Sequence, residues 1–219
     1  MQLISETIKF IATHSDDVLK AIWEHLFIVA IPMGLAILIA VPLTILATRI
    51  PRFYPWLLGF SNAMQTIPSL ALLALLIAIG MGLGLLPTVI ALFLYALMPI
   101  VRNTFVGITG VSREVKDAAI GMGVTNWQLL WMIELPLALK VIIAGIRSAL
   151  VGTIGFATLG ALIGAGGLGG LIMRGLSMAA NDIVLAGTLP AMLLAFLAEF
   201  LMGRLEIKLT PRGLRSIRH

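Results

Sequence analysis

The chain contains no cysteine, which excludes disulfides and thiolate metal sites. Its histidines, His14, His25 and His219, are widely separated and form neither a ligand cluster nor a catalytic triad. Charge is scarce: 11% of the 219 residues are Asp, Glu, Lys or Arg, against about a quarter in a soluble domain. No G-x-x-x-x-G-K-[ST] phosphate loop occurs, so the chain is not expected to bind ATP, and no cofactor is called for. What fills the space is apolar. Hydrophobic residues make up 60% of the chain and the mean hydropathy is +1.08. That composition predicts an all-α polytopic membrane protein, because a helix satisfies its own backbone in lipid.

A bilayer core needs about 20 apolar residues in helix. Five segments meet that length: about 26–48, 56–79, 87–108, 137–163 and 183–203. Arg49, Arg52, Arg102, Arg113, Lys116, Lys140, Arg204, Lys208, Arg212, Arg215 and Arg218 then fall on one side of the membrane. Lys9, Lys20 and Arg174 fall on the other, and Arg147 lies inside span four. The excess of basic residues places their side in the cytoplasm, with the N-terminus outside. The same clustering at span ends accounts for the net charge of +5 without a nucleic-acid partner. Residues 1–25 are amphipathic and lack the basic start of a cleavable signal; they are expected to form a short extracytoplasmic helix on the membrane surface. Residues 204–219 make a basic cytoplasmic tail.

Prolines 32, 42, 68, 99 and 190 lie in or near spans, and each is expected to kink its helix by removing a donor. The glycine run 160–170 holds a G-x-G-x-x-G at Gly164, Gly166 and Gly169. A dinucleotide site would need a preceding strand, and an apolar span precedes this one. Gly160 and Gly164 instead permit close helix approach, and the remainder predicts a tight outer turn.

Between spans three and four lies the one long stretch that is not apolar, "VKDAAIGMGVTNWQLLWMIELPLA". Ser112 is a good N-cap, with Glu114 in the first helical turn where the dipole favours an acid. Gly123 supplies a left-handed stop. Thr125 and Gln128 fit a capping box for a second helix carrying Trp127, Leu130, Trp131 and Glu134. Pro136 marks the turn into span four. Two short helices joined by a glycine turn are thus held at the membrane surface, with Ala118 and Ala119 leaving a shallow face for another protein.

The pattern Asp117-Ala118-Ala119-x-x-x-Gly123, nine residues, then Ile133-x-Leu135-Pro136 resembles the EAA motif of ATP-binding-cassette importer permeases. Aspartate stands at position 117 where the motif has glutamate. Similarity extends over about 20–213, including "MQTIPSLALLALL", "ALFLYALMPIVRNT", "AGIRSALVGTIGFATLGALIGAGGLG" and "LTPRGLR", and is greatest to permeases for quaternary-amine osmoprotectants such as glycine betaine, choline and carnitine. The resemblance implies a type I importer fold of five spans with a coupling-helix pair at 112–135. Residues Asp117, Ala118, Ala119, Gly123, Ile133, Leu135 and Pro136 would engage two ATPase subunits. A second permease copy or paralogue and an extracytoplasmic solute-binding protein are further implied partners, beside membrane lipid.

Candidates for the passage follow from polar groups inside spans. Gln65, Thr66 and Pro68 combine polarity with a kink, and Tyr95 is an aromatic within span three. Arg147 lies about 16 Å into span four at about 1.5 Å per residue. A charge at that depth must face protein or water. It could hold a zwitterion's carboxylate, pair with Glu199, or bond to freed carbonyls. The other function classes are the same fold serving another small solute, an ion-coupled secondary transporter, and a membrane enzyme. The secondary transporter needs intramembrane acids, of which Glu199 is the one well inside a span. The enzyme lacks a clustered set of reactive groups.

Overall fold

The computed structural model describes residues 2–209. The tail residues Arg212, Arg215, Arg218 and His219, and most of "LTPRGLR", lie outside the described residues. Among the described residues ten α-helices form and no strand. They are α1 (Gln2–Thr13), α2 (Ser15–Arg49), α3 (Tyr54–Thr66), α4 (Ser69–Leu76), α5 (Leu85–Thr109), α6 (Arg113–Gly121), α7 (Asn126–Leu129), α8 (Leu135–Ala157), α9 (Leu168–Ser177) and α10 (Asn181–Leu209). Four helices are long and apolar enough to cross a membrane, and α3 with α4 makes a fifth span as a pair bent by 99°.

Small residues make the bundle possible. Lipid tails are as apolar as leucine, so helices associate through close packing rather than escape from water. Ala36, Ala40 and Ala47 on α2, Ala96 on α5, and Ala138 and Ala157 on α8 are all buried. At the α5–α8 crossing, a Cβ on Gly145 would come within 2.7 Å of the Pro99 carbonyl and 2.5 Å of Asn103 Cβ. The backbones therefore meet where no side chain fits. Large side chains such as Phe27, Leu38, Leu193 and Phe196 point outward instead.

The first helix pair differs from expectation. Residues 15–25 do not belong to a surface segment; they begin α2, which runs 35 residues without interruption. Asp16 and Asp17 in its first turn suit the positive end of the helix dipole, and nothing before residue 26 breaks the helix. At about 1.5 Å per residue, α2 exceeds a hydrocarbon core of about 30 Å. Helix α1 is separate and packs against α10 with Leu3, Ile4 and Ile8 exposed.

Span two, expected as one helix over 56–79, is the bent pair. Ile67 takes an extended ψ of 126° and Pro68 follows it. A residue before proline is pushed out of the helical region, and proline brings no donor to repair the gap. By contrast Pro32, Pro42, Pro99 and Pro190 lie inside continuous helices. The short α9 was not foreseen, since its start is a glycine run with poor helix propensity.

Candidate functional site: the basic end of the bundle and the broken helix

Local rules build the 112–135 element. The Ser112 hydroxyl accepts from the Val115 N–H at 3.4 Å and starts α6. Helix α6 ends in a Schellman arrangement. The Gly123 N–H donates to the Ile120 carbonyl at 2.9 Å, and the Val124 N–H to that of Ala119 at 3.2 Å. Gly123 has φ +82°, which a residue with a Cβ adopts only under strain. Thr125 and Gln128 then form the capping box, with the Gln128 carbonyl oxygen accepting from the Thr125 N–H at 2.9 Å.

The second helix does not turn at Pro136 as expected. Helix α7 passes through a π-turn, Leu130–Glu134, straight into α8, giving one helical run over Asn126–Ile163. The Leu135 N–H reaches back to the Leu130 carbonyl. The widened turn accommodates the missing donor and the bulk of the Pro136 ring that would otherwise crowd the preceding carbonyls.

The element's outer face is apolar. Met122 is 77% exposed and Trp127 68%, and Ile120, Trp131 and Met132 are exposed beside them. Trp127 and Trp131 pack edge to face with centroids 5.4 Å apart. Asp117 is exposed and pairs with Arg113 at 3.8 Å. Ala118 is exposed, but Ala119 is 1% exposed and does not join the shallow face expected of it. Its position on the helix turns it inward, and its carbonyl serves the Schellman turn. Ile133, Leu135 and Pro136 are half-buried at the root of the element.

Beneath that face lies a cluster the sequence reading overlooked. Glu134 is 2% exposed. Its carboxylate accepts from the Arg49 guanidinium at the end of α2 and pairs with Lys116 Nζ of α6 at 3.0 Å. Lys116 also donates to the Ile108 carbonyl in the last turn of α5 at 3.3 Å. The signal was present: a lone carboxylate inside the apolar run "LLWMIELPLAL" needs a partner.

The passage candidates fall in two places. Gln65, Thr66 and Pro68 are exposed together at the break between α3 and α4. Tyr95 does not share their surface. It is buried, and its hydroxyl donates to the Ile67 carbonyl that the break leaves without a helical partner. Its ring stacks on Phe156 at 5.1 Å. Arg147 and Glu199 lie elsewhere, joining α8 to α10. Arg147 Nε pairs with Glu199 at 3.3 Å and Nη1 donates to Glu206 at 3.1 Å. Gly203 lies between those two acids in sequence; a Cβ there would sit 3.3 Å from the guanidinium.

At the opposite end, two glycine-bearing loops meet. The Gly84 N–H donates to the Ile163 carbonyl at 2.7 Å. The Gly167 N–H donates to Glu24 at 3.0 Å, which places a carboxylate at the start of α9. The G-x-G-x-x-G thus turns the chain between helices, against α2.

These arrangements fit a membrane-bound transport subunit. Residues 33–211 match the family described as binding-protein-dependent transport system inner membrane component. The chain belongs to that family. Among related permeases, the carnitine transport permease protein OpuCB of Listeria monocytogenes is 44% identical, with 96% of each chain covered. The glycine betaine/carnitine/choline transport system permease protein OpuCB of Bacillus subtilis is 38% identical over 98% of this chain and 99% of its own. The osmoprotectant import permease protein OsmW of Salmonella typhimurium is 42% identical over 96% of this chain and 100% of its own. In fold, the permease resembles a chain of the MetNI methionine ABC transporter in an inward-facing conformation. That match has a TM-score of 0.77 at 22% identity and covers 89% of this chain and 97% of the other. The permease thus has the type I importer fold.

Proposed function

We propose that this chain forms half of the membrane passage of an ABC importer for a quaternary-amine osmoprotectant such as carnitine, glycine betaine or choline. A separate ATPase supplies the work and a separate solute-binding protein supplies the solute. The observation that carries this reading is the folded 112–135 element, which offers Met122, Trp127 and Trp131 as an apolar docking face. The relatives' printed substrates support the solute class.

In this reading the basic end is cytoplasmic, with the N-terminus outside. The 112–135 element seats on two ATPase subunits through Asp117, Ala118 and Gly123, with Ala119, Ile133, Leu135 and Pro136 shaping it from within. Nucleotide-driven closure then moves the element and tips the spans as rigid bodies. Gln65, Thr66 and Pro68 line the passage once a second permease, identical or paralogous, covers the broken helix. Tyr95 holds the break in shape from behind. The chain lacks an aromatic cage around that surface, so tight recognition of the quaternary ammonium resides on the binding protein. The Arg147 pairing with Glu199 disfavours an ion-coupled carrier, because the acid is already compensated.

The test is reconstitution in vesicles with the ATPase and binding protein, in the absence of ion gradients. ATP-dependent uptake of labelled carnitine, glycine betaine or choline is expected. Uptake that ignored ATP and followed a proton or sodium gradient would refute the reading. ATP-driven uptake of only some other small solute would refute the substrate class alone.

A further inference from the structure

We infer that Glu134 is a positioning residue that couples the docking element to the spans, acting through Arg49 and Lys116. The inference rests on the importer reading and adds the joint through which the element's motion reaches the bundle.

Three separate elements meet at one carboxylate. Lys116 comes from α6, on the docking element. Arg49 closes α2, the longest helix of the bundle. Glu134 is the last residue of the π-turn that opens into α8. Through its second bond to the Ile108 carbonyl, Lys116 brings in the end of α5 as well. Covalent connection already joins α6 to α5 and α7 to α8. It does not join the docking element to α2, whose nearest chain link runs through the whole of α3, α4 and α5. The Arg49–Glu134 pair makes that connection directly.

The carboxylate is suited to a rigid joint. It is 2% exposed, so removing a partner leaves a buried charge uncompensated rather than solvated. The Pro136 ring favours the widened turn just before α8, and this sets the side to which Glu134 points. Trp131, three residues earlier, faces out to the docking surface while Glu134 faces in. A push on the tryptophans is thereby delivered to α2 through an ion pair rather than lost in a soft loop.

The test uses the whole complex: the permease with its ATPase, loaded binding protein and labelled solute in vesicles, reading uptake and phosphate release together. Glu134→Gln, Arg49→Gln and Arg49→Lys are compared with the unaltered chain. None of these changes touches Met122, Trp127 or Trp131, so the ATPase still docks and hydrolyses. Solute moved per ATP is expected to fall about tenfold or more in Glu134→Gln and Arg49→Gln, in the usual range of coupling between sites. Arg49→Lys, which keeps the charge, should retain most of the ratio. A wild-type ratio in Arg49→Gln would overturn the inference and leave the importer reading intact. If neither neutral variant assembled with the ATPase, the cluster would be structural only, and the inference would fall. Loss of ATP-driven uptake in the unaltered chain would instead sink the importer reading itself.

Discussion

Gly123 shows how much one residue fixes. Its φ of +82° and its N–H bond to Ile120 close α6 and aim α7. Proline can supply neither the positive φ nor the donor. Gly123→Pro should therefore lower uptake per ATP about fivefold or more in the reconstituted complex, while unaltered coupling would exclude a hinge at this position. Tyr95 is a second case. Tyr95→Phe strips the partner from the Ile67 carbonyl, a loss of about 1–3 kcal/mol for a buried polar group. A lower melting temperature of the purified subunit in detergent is the expected result, and an unchanged one would mean the hydroxyl contributes nothing. The caps at Ser112, Gly123 and Thr125 were legible in sequence because each depends on residues three or four positions away. Burial of Ala119, the bond from Tyr95 and the partners of Glu134 were not. They depend on contacts across 28 to 85 positions of chain, which no local pattern encodes.

Between residues and bundle, elements carry the mechanical roles. The break between α3 and α4 follows from one proline and its restricted neighbour, yet four other span prolines leave their helices continuous. Proline alone did not predict the outcome, because surrounding packing decides whether a lost donor bends a helix or merely loosens it. The docking helices were legible as a pair. Their continuity with α8 was not, because a π-turn leaves no residue signature of its own. The exposed tryptophans make this element testable. Trp127→Ala combined with Trp131→Ala removes two aromatic anchors, each worth about 2 kcal/mol where such residues dominate an interface. The variant should no longer copurify with the ATPase. Retention at the unaltered level would move the docking surface away from this face. At the α5–α8 crossing, Gly145→Leu would drive a side chain into the Pro99 carbonyl. Overpacking there costs about 1–3 kcal/mol, so reduced folded yield in the membrane is expected.

Across the whole molecule, hydropathy located every span, since about 20 apolar residues can do little else in a chain this poor in charge. The ends of spans were less legible, α2 beginning well before its apolar run. Sidedness can be checked with unusual ease, because the chain has no cysteine to remove. A single cysteine at Glu114 should react with an impermeant thiol reagent only from the cytoplasmic side, and one at Asp16 only from outside. The reverse pattern would invert the topology and deprive the 112–135 element of any ATPase to meet.

The bent pair α3–α4 has a consequence for the cell as well. Its polar side chains look away from their own bundle, so one chain by itself holds only a wall and no hole. Subunits made in excess, or stranded before assembly, would sit in the bilayer without leaking solute. Permeability would arise only on pairing, which makes the partnership itself the safeguard of the membrane's seal.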